Sequence, residues 1–363
     1  MKIVFTGGGT SGHVIPNLAV IEELRKLAGH AQIFYIGSRE GPERKLAQAA
    51  DVEFHGIQTG KLRRYLSLQN AVDAVKVPIG ITQAIHRLLK IKPDVVFSKG
   101  GFVSVPVAIA AGILRVPLVV HESDFSPGLA TRLAARFAKK ICLSFPTTHP
   151  GHKIQITGNP VRAVGSAERG REFLKFKKEQ PIVLVAGGSS GALFLNLLME
   201  KSIFELEKKV NVVWLCGKDK KPNCQLQPAL RSFSEGGTAN CQLFEYLDAE
   251  YLDVLAASDL VVSRAGANAL FEIAAAGKPS VLIPLPAELS RGDQIENARF
   301  FELAGASVVL PQEKAKPRDF TKLIIWMISN PERLKKVADA AAKLAPVNAA
   351  EKIARIILDV AKE

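Results

Sequence analysis

Two glycine-rich turns occupy nearly the same place in each half of this 363-residue chain. Thr6-Gly7-Gly8-Gly9-Thr10-Ser11-Gly12-His13 follows the apolar run Ile3-Val4-Phe5. Gly187-Gly188-Ser189-Ser190-Gly191-Ala192 follows Ile182-Val183-Leu184-Val185. Each turn opens into a helical pattern. Glycine lets backbone approach a phosphate closely, and the helix that follows offers N–H groups and the positive end of its dipole. The duplication points to two similar lobes facing each other across a ligand cleft. His13 closes the first turn. A helix N-terminus lowers the pKa of an imidazole and favours the neutral ring, which can take a proton. His13 is therefore the candidate general base, a role worth roughly two to four powers of ten in rate. The competing role is a ring that hydrogen-bonds backbone and shapes the loop.

Other polar groups recur at strand ends. Ser98-Lys99-Gly100-Gly101-Phe102 follows Val95-Val96-Phe97 and opens an apolar helix, which again suits an anion or a plain tight turn. His121-Glu122-Ser123-Asp124 ends a buried run, where side chains either face a ligand crevice or form a buried pair. In the second half, Arg264-Ala265-Gly266-Ala267-Asn268-Ala269-Leu270-Phe271-Glu272 gives an open helix N-terminus. There Arg264 is a phosphate or structural partner, and Glu272 is either an acceptor for ribose hydroxyls or a plain solvated side chain. Ser290-Arg291-Gly292-Asp293-Gln294 is a polar entry to a further helix, for sugar hydroxyls or a simple cap.

The elements that position these groups alternate. Strand runs are expected at Lys2–Thr6, Gln32–Ile36, Val52–Gly56, Val95–Ser98, Leu118–His121, Lys140–Ser144 and Lys153–Thr157. They resume at Ile182–Ala186, Asn211–Cys216, Cys241–Phe244, Leu260–Ser263, Ser280–Pro284 and Ser307–Leu310. Helical patterns fill the gaps, among them Leu18–Leu27 and a helix from near Gly266 to Ala276. Such βα alternation predicts an α/β protein with parallel, Rossmann-like sheets. Gly158-Asn159-Pro160 breaks the pattern, so residues 1–163 and 164–345 read as two domains. Residues 346–363 read as a final helix that could pack back on the first.

Charge is uneven. The net charge is +13, yet residues 1–163 carry 21 Lys and Arg against 10 Asp and Glu, and the remainder 27 against 25. An excess so placed is either a matter of solubility and drift or fits an anionic membrane surface, a polyphosphate ligand or nucleic acid. Few aromatics interrupt the basic stretches, so no nucleic-acid partner is expected. Cys142, Cys216, Cys224 and Cys241 form no C-x-x-C pair, which argues against a disulfide framework or zinc site and fits a reducing compartment. The N-terminal residues read as a strand rather than a signal peptide, and no apolar run reaches the length of a membrane span.

Taken in order, the motifs at Thr6–Pro16, Ser98–Phe102, His121–Asp124, Gly158–Arg162, Gly187–Ala192, Arg264–Gly266 and Asp293–Gln294 resemble glycosyltransferase family 28 over essentially the whole chain. The resemblance is to the N-acetylglucosaminyltransferases that convert lipid I to lipid II in peptidoglycan synthesis. It implies a GT-B fold: two Rossmann-like parallel-sheet lobes with an interdomain cleft. It implies an inverting transfer from UDP-GlcNAc to the C4 hydroxyl of MurNAc in lipid I, giving a β-1,4 link. No cofactor or metal beyond the donor is expected. By motif match, Ser189 lies at the donor diphosphate, Leu247 against uracil, Arg264 and Ala267, Asn268, Ala269, Leu270, Phe271 and Glu272 around the nucleotide, and Gln294 on the sugar. Thr10, Ser11, Gly12, Asp124 and Arg162 complete the donor site, while His13, Gly100 and Gly101 face the acceptor diphosphate. Many family members carry His-Glu-Gln-Asn where this chain has His121-Glu122-Ser123-Asp124, so the contact at Asp124 loses a hydrogen-bond donor.

A lipid-linked acceptor implies attachment to the cytoplasmic face of the cell membrane, with cell-wall and division proteins as partners. Candidate membrane charges are Lys61, Arg63, Arg64, Arg87, Lys90, Lys139 and Lys140, interleaved with Ile81, Ile85, Leu88 and Leu89 as either core or membrane contacts. The alternatives are a UDP-GlcNAc 2-epimerase or another nucleotide-sugar enzyme of this fold. A Rossmann dehydrogenase is disfavoured because neither turn matches G-x-G-x-x-G in register.

Overall fold

Short β-branched runs bounded by turns form parallel strands buried on both faces, and this chain builds two such sheets. The computed structural model describes residues 1–60, 68–148, 151–177, 179–188, 191–221, 237–238 and 240–363. Lys61, Arg63, Arg64, Ser189 and Cys224 lie outside the described residues, as does the side chain of Ser11. Two units result: Met1–Arg162 with Pro346–Glu363, and Ala163–Ala345.

In the first unit the strands are β1 (Lys2–Thr6), β2 (Gln32–Ser38), β3 (Glu53–Ile57), β4 (Val95–Ser98), β5 (Leu118–Glu122), β6 (Lys140–Leu143) and β7 (Ile154–Ile156). They lie in the order β3-β2-β1-β4-β5-β6-β7, all parallel. Between them run α1 (Ile15–Leu27), α2 (Pro42–Ala49), α3 (Leu68–Ile91), α4 (Ser104–Leu114) and α5 (Leu129–Ala135). One sheet face carries Ile3, Phe5, Val95, Phe97 and Val119, packed with Val20, Ile21 and Leu24 of α1. Ile353, Ala354, Ile357 and Val360 of the C-terminal helix Ala349–Lys362 join the same core. The opposite face carries Val4, Val96, Leu118 and Val120 against α3 and α4. Each such Leu, Ile or Val contributes roughly 1.5–3 kcal/mol by leaving water. The apolar residues of α3 do not act as one stripe: Leu88 is buried, Ile85 packs on the core, and Leu89 is exposed.

The second unit repeats the plan. It opens with α6 (Ala167–Leu174). Its strands are β8 (Ile182–Ala186), β9 (Asn211–Leu215), β10 (Gly237–Thr238), β11 (Cys241–Phe244), β12 (Leu260–Ser263), β13 (Ser280–Leu282) and β14 (Val308–Val309). Their order is β10-β11-β9-β8-β12-β13-β14. The helices that follow are α7 (Leu193–Leu206), α8 (Glu250–Ala257), α9 (Ala267–Ala275), α10 (Asp293–Leu303), α11 (Pro317–Ile328) and α12 (Pro331–Lys343). The C-terminal helix is α13. One departure from the expected strands is β10, which pairs antiparallel with β11 and carries no sequence signal. Another is the end of β13 at Leu282, two residues before Pro284, which has no N–H for a ladder.

In each sheet the strand order reverses beside the first strand of its unit. The reversal lies between β1 and β4 in one sheet, and between β8 and β12 in the other. Ligands bind such sheets outside the carboxyl ends of the strands at that reversal. The glycine turns sit there.

Candidate functional site

In the first unit, Gly7 and Gly9 turn the chain out of β1 at φ +146° and +86°, values that side-chain-bearing residues rarely adopt. Buried groups fix this turn from below. The Tyr35 hydroxyl donates to the Gly7 carbonyl at 2.7 Å and accepts from Asn17 Nδ2 at 2.9 Å. Burial pushes the Tyr35 phenol well above its ordinary pKa, so it stays a donor. Glu43 is fully buried. Its carboxylate accepts from Gly9 N at 3.3 Å and from Ser38 N at 2.8 Å. A Cβ on Gly8 would fall 2.6 Å from the Glu43 carboxyl carbon, and one on Gly41 would meet its oxygens. The turn is thus moulded around a carboxylate, and the Gly9 N–H points inward to it.

His13 follows in a 3-10 turn, Ser11–His13, just ahead of α1, and its N–H donates to Thr10 O at 3.1 Å. The ring is half-buried, while Thr10 is exposed. Gly100 and Gly101 take φ +86° and +78° after β4. A Cβ on Gly101 would lie 2.5 Å from Gly8 O and 3.0 Å from His13 Cδ2, and one on Gly9 would strike the Phe102 ring. The structure therefore brings the first and third glycine elements and the His13 ring into one contact surface.

Beside it lies a buried polar cluster. Lys99 is 2% exposed, and its Nζ donates to Ser123 Oγ. Ser123 Oγ donates in turn to Asn159 Oδ1 at 3.0 Å. The Glu122 carboxylate accepts from Asp124 N at 3.0 Å and Gly128 N at 2.9 Å. His121 is fully buried, and its Nε2 donates to Gly158 O at 3.0 Å. Burial and the nearby Lys99 charge hold its pKa well below the ordinary value, so the ring is neutral. His121 and Glu122 thus take the buried structural alternative. Asp124 stands half-buried beyond the strand end, and Arg162 is half-buried at the end of the first segment of this unit.

In the second unit, Gly187, Gly188 and Gly191 carry the chain from β8 into α7. Gly188 has φ +83°, and a Cβ there would meet nothing within 4 Å. Gly191 is packed onto the Cys216 and Gly217 backbone. Asn196 holds that second loop by donating to Cys216 O at 2.8 Å and Lys220 O at 3.1 Å. Lys220 Nζ reaches Gly191 O at 3.4 Å. After β12, Gly266 opens α9 with no side-chain cap and with open space at its Cα. The first-turn N–H groups of such a helix have no acceptor within the helix. Arg264 is buried and donates to the Ile283 and Pro284 carbonyls at 2.9 and 3.2 Å. Among the helix residues singled out, Ala267, Leu270 and Phe271 are buried, whereas Asn268, Ala269 and Glu272 are half-buried. Leu247 is packed in a core cluster. The Gln294 carbonyl oxygen accepts from Leu285 N at 3.0 Å, which leaves its amide N–H groups as the side chain's donors.

Sequence reasoning missed Glu43 and the Tyr35–Asn17 brace, and named Lys99 only as part of its glycine element. Gly41-Pro42-Glu43 reads as an ordinary acidic helix start, which hides a fully buried carboxylate. Among the described residues no group of three or more His, Cys, Asp or Glu side chains is placed to hold a metal, and no helix is long and apolar enough to cross a membrane.

Comparison with known proteins identifies the family. The glycosyltransferase family 28 N-terminal domain matches residues 3–143, and the family 28 C-terminal domain matches residues 182–354. A relative from Legionella pneumophila (strain Paris) is 44% identical over 99% of this chain and 97% of its own length. One from Treponema denticola is 44% identical over the same shares. Both are named UDP-N-acetylglucosamine–N-acetylmuramyl-(pentapeptide) pyrophosphoryl-undecaprenol N-acetylglucosamine transferase. The crystal structure of Acinetobacter baumannii MurG is 25% identical, with a TM-score of 0.76 over 99% of both chains. A UDP-GlcNAc 2-epimerase from Neisseria meningitidis, bound to UDP-GlcNAc, is 15% identical with a TM-score of 0.67 over 99% of this chain and all of that one. That likeness shows the shared fold alone.

Proposed function

The chain belongs to glycosyltransferase family 28 and has its GT-B fold, and from that premise we propose the reaction it performs: transfer of GlcNAc from UDP-GlcNAc to the C4 hydroxyl of MurNAc in lipid I, forming lipid II in peptidoglycan synthesis. The observation that carries this reading is the 44% identity sustained over nearly the whole of both chains with relatives of that name.

The acceptor hydroxyl attacks C1 of GlcNAc from the face opposite UDP, so configuration inverts and the link is β-1,4. Negative charge grows on the departing diphosphate. In the second unit, N–H groups of the turn into α7 and of the first turn of α9 supply fixed dipoles for that charge. Ser189 belongs to the first of these by family pattern. Glu272 accepts from the ribose hydroxyls, and the Gln294 amide donates to sugar hydroxyls. Leu247 contributes through its backbone beside the base, since its side chain belongs to the core. Arg264 acts by holding the Ile283–Pro284 carbonyls in place. In the first unit, Thr10, Ser11, Gly12, Asp124 and Arg162 are the proposed donor contacts, and Gly100 and Gly101 the acceptor-diphosphate contacts. His13 takes the proton from the C4 hydroxyl. The Gly9 N–H is committed to Glu43, so the diphosphate is bound by the Gly100–Gly101 side of this surface rather than by Gly9.

Lipid I is embedded in the membrane, so the enzyme works at the cytoplasmic face of the cell membrane as a peripheral protein. The decisive experiment is incubation with labelled UDP-GlcNAc, with and without a lipid I analogue. Label should move to the lipid only when the analogue is present. A ManNAc product from UDP-GlcNAc alone would establish the epimerase instead.

A further inference from the structure

Lys99 is among the largest fully buried side chains of the protein, yet it ends in an ammonium. Burying such a charge costs several kcal/mol unless neighbouring groups compensate. Its hydrogen-bond acceptor is the hydroxyl of Ser123, and Ser123 stands in sequence between Glu122 and Asp124. Ser123 is itself tied to Asn159, so the ammonium joins the segment after β4, the segment after β5 and the Gly158–Arg162 segment. The next residues are Gly100 and Gly101, whose turn packs on Gly8 and His13. Two carboxylates beside a diphosphate site would repel the ligand. One of them, Glu122, is fixed by two backbone N–H groups and cannot swing away without leaving both unpaired.

We propose that Lys99 is a positioning residue of the acceptor site: its buried ammonium offsets the Glu122 and Asp124 carboxylates next to the Gly100–Gly101 turn, and so lets that turn bind a diphosphate. Burial drives the Lys99 ammonium down to about 8, and the Glu122 and Asp124 carboxylates oppose that drop, in keeping with their proximity. The proposal rests on the reading of Gly100–Gly101 as the acceptor-diphosphate contact.

Lys99→Gln keeps a polar group for Ser123 and removes only the charge. At saturating UDP-GlcNAc its KM for a lipid I analogue should rise about tenfold or more, with kcat within about threefold of wild type; a tenfold change corresponds to about 1.4 kcal/mol. Adding Asp124→Asn removes one opposing charge and, with UDP-GlcNAc raised until it saturates the double variant as well, should return most of the lost affinity for the lipid I analogue. A merely structural lysine would show no such rescue. An unchanged KM in Lys99→Gln, or no recovery in the double variant, would overturn the proposal. Should the single variant fail to fold, a folded double variant supports charge compensation, and two unfolded variants count against it. The wild-type enzyme is assayed alongside. Absence of transfer there would instead overturn the functional reading.

Discussion

His13 lies two residues ahead of α1, its ring half-buried against the Gly101 Cα and the first glycine turn. As the proposed base, His13 would act on the acceptor hydroxyl and leave donor binding untouched. His13→Ala should therefore lower kcat by roughly two to four powers of ten, while UDP-GlcNAc binding measured by calorimetry persists. Near-normal turnover would remove the residue from the chemistry. Lys99 gives a second test at this scale, read on stability instead of rate. Its pKa is held at about 8 in the native protein, against 10.5 for the free side chain. Below pH 8 both folded and unfolded chains carry the charge, and the native state bears the full cost of burying it. Between the two values the unfolded chain binds a proton that the native protein does not, so stability rises with pH. The wild-type protein should therefore gain up to about 3 kcal/mol relative to Lys99→Met between pH 8 and pH 10.5, read from denaturant midpoints. A pH-independent difference would show that Lys99 titrates like an exposed lysine.

Turns rather than helices or strands carry the specialised geometry. Gly188 and Gly101 both have positive φ, +83° and +78°, but differ in surroundings. At Gly188 a methyl group meets nothing, so Gly188→Ala bears only backbone strain, about 1–2 kcal/mol. At Gly101 the same methyl group meets the Gly8 carbonyl at 2.5 Å and the His13 ring at 3.0 Å. Gly101→Ala should cost more in melting temperature than Gly188→Ala. It should also lower kcat at least tenfold by displacing His13, since small misplacements of a catalytic group carry large rate penalties. Turnover no lower in Gly101→Ala than in Gly188→Ala would mean that Gly101 does not position His13. The strands themselves were legible: β1, β4, β8, β11 and β12 span the residues expected of them, and β1 and β8 end where an apolar, β-branched run meets a glycine turn. Glu43 was illegible because burial of a carboxylate depends on three glycines, Gly8, Gly37 and Gly41, brought together from the first glycine turn, from β2 and from the start of α2. Lys99 was hidden for a similar reason, since lysine is almost never fully buried and nothing local marks the exception. The strand β10 was missed because two residues, Gly237 and Thr238, carry no periodicity.

At the scale of the molecule, charge and chain order both bear on function. Sequence offered a return to the first domain for α13 but could not place the helix. It returns to the first unit, where Ile353 and Ile357 complete the core beside α1, so the chain's last residues stabilise the unit that its first residues begin. That unit also holds almost all of the net positive charge. Its α3 and α4 pack together and leave Ile79, Leu89 and Ile113 exposed. Lys90 and Arg115 are exposed on the same pair of helices and at its end, and Lys140 begins β6 directly after Lys139. A peripheral enzyme with a lipid-linked acceptor would use exposed apolar residues and lysines together, because apolar insertion anchors and charge attracts. Each lysine near an anionic bilayer is worth roughly 1 kcal/mol, and the attraction fades within a Debye length. The protein should therefore co-sediment with vesicles containing anionic phospholipid and much less with purely zwitterionic ones. Raising the salt from 0.1 M to about 1 M, where the Debye length falls from about 10 to 3 Å, should release most of it. Lys90→Gln combined with Lys140→Gln should weaken binding roughly thirtyfold. Leu89→Ser combined with Ile113→Ser should weaken the part that survives high salt. Both double variants should retain turnover on a soluble, short-chain acceptor. Equal binding to both vesicle types, or loss of turnover on the soluble acceptor, would place the membrane face elsewhere on the protein.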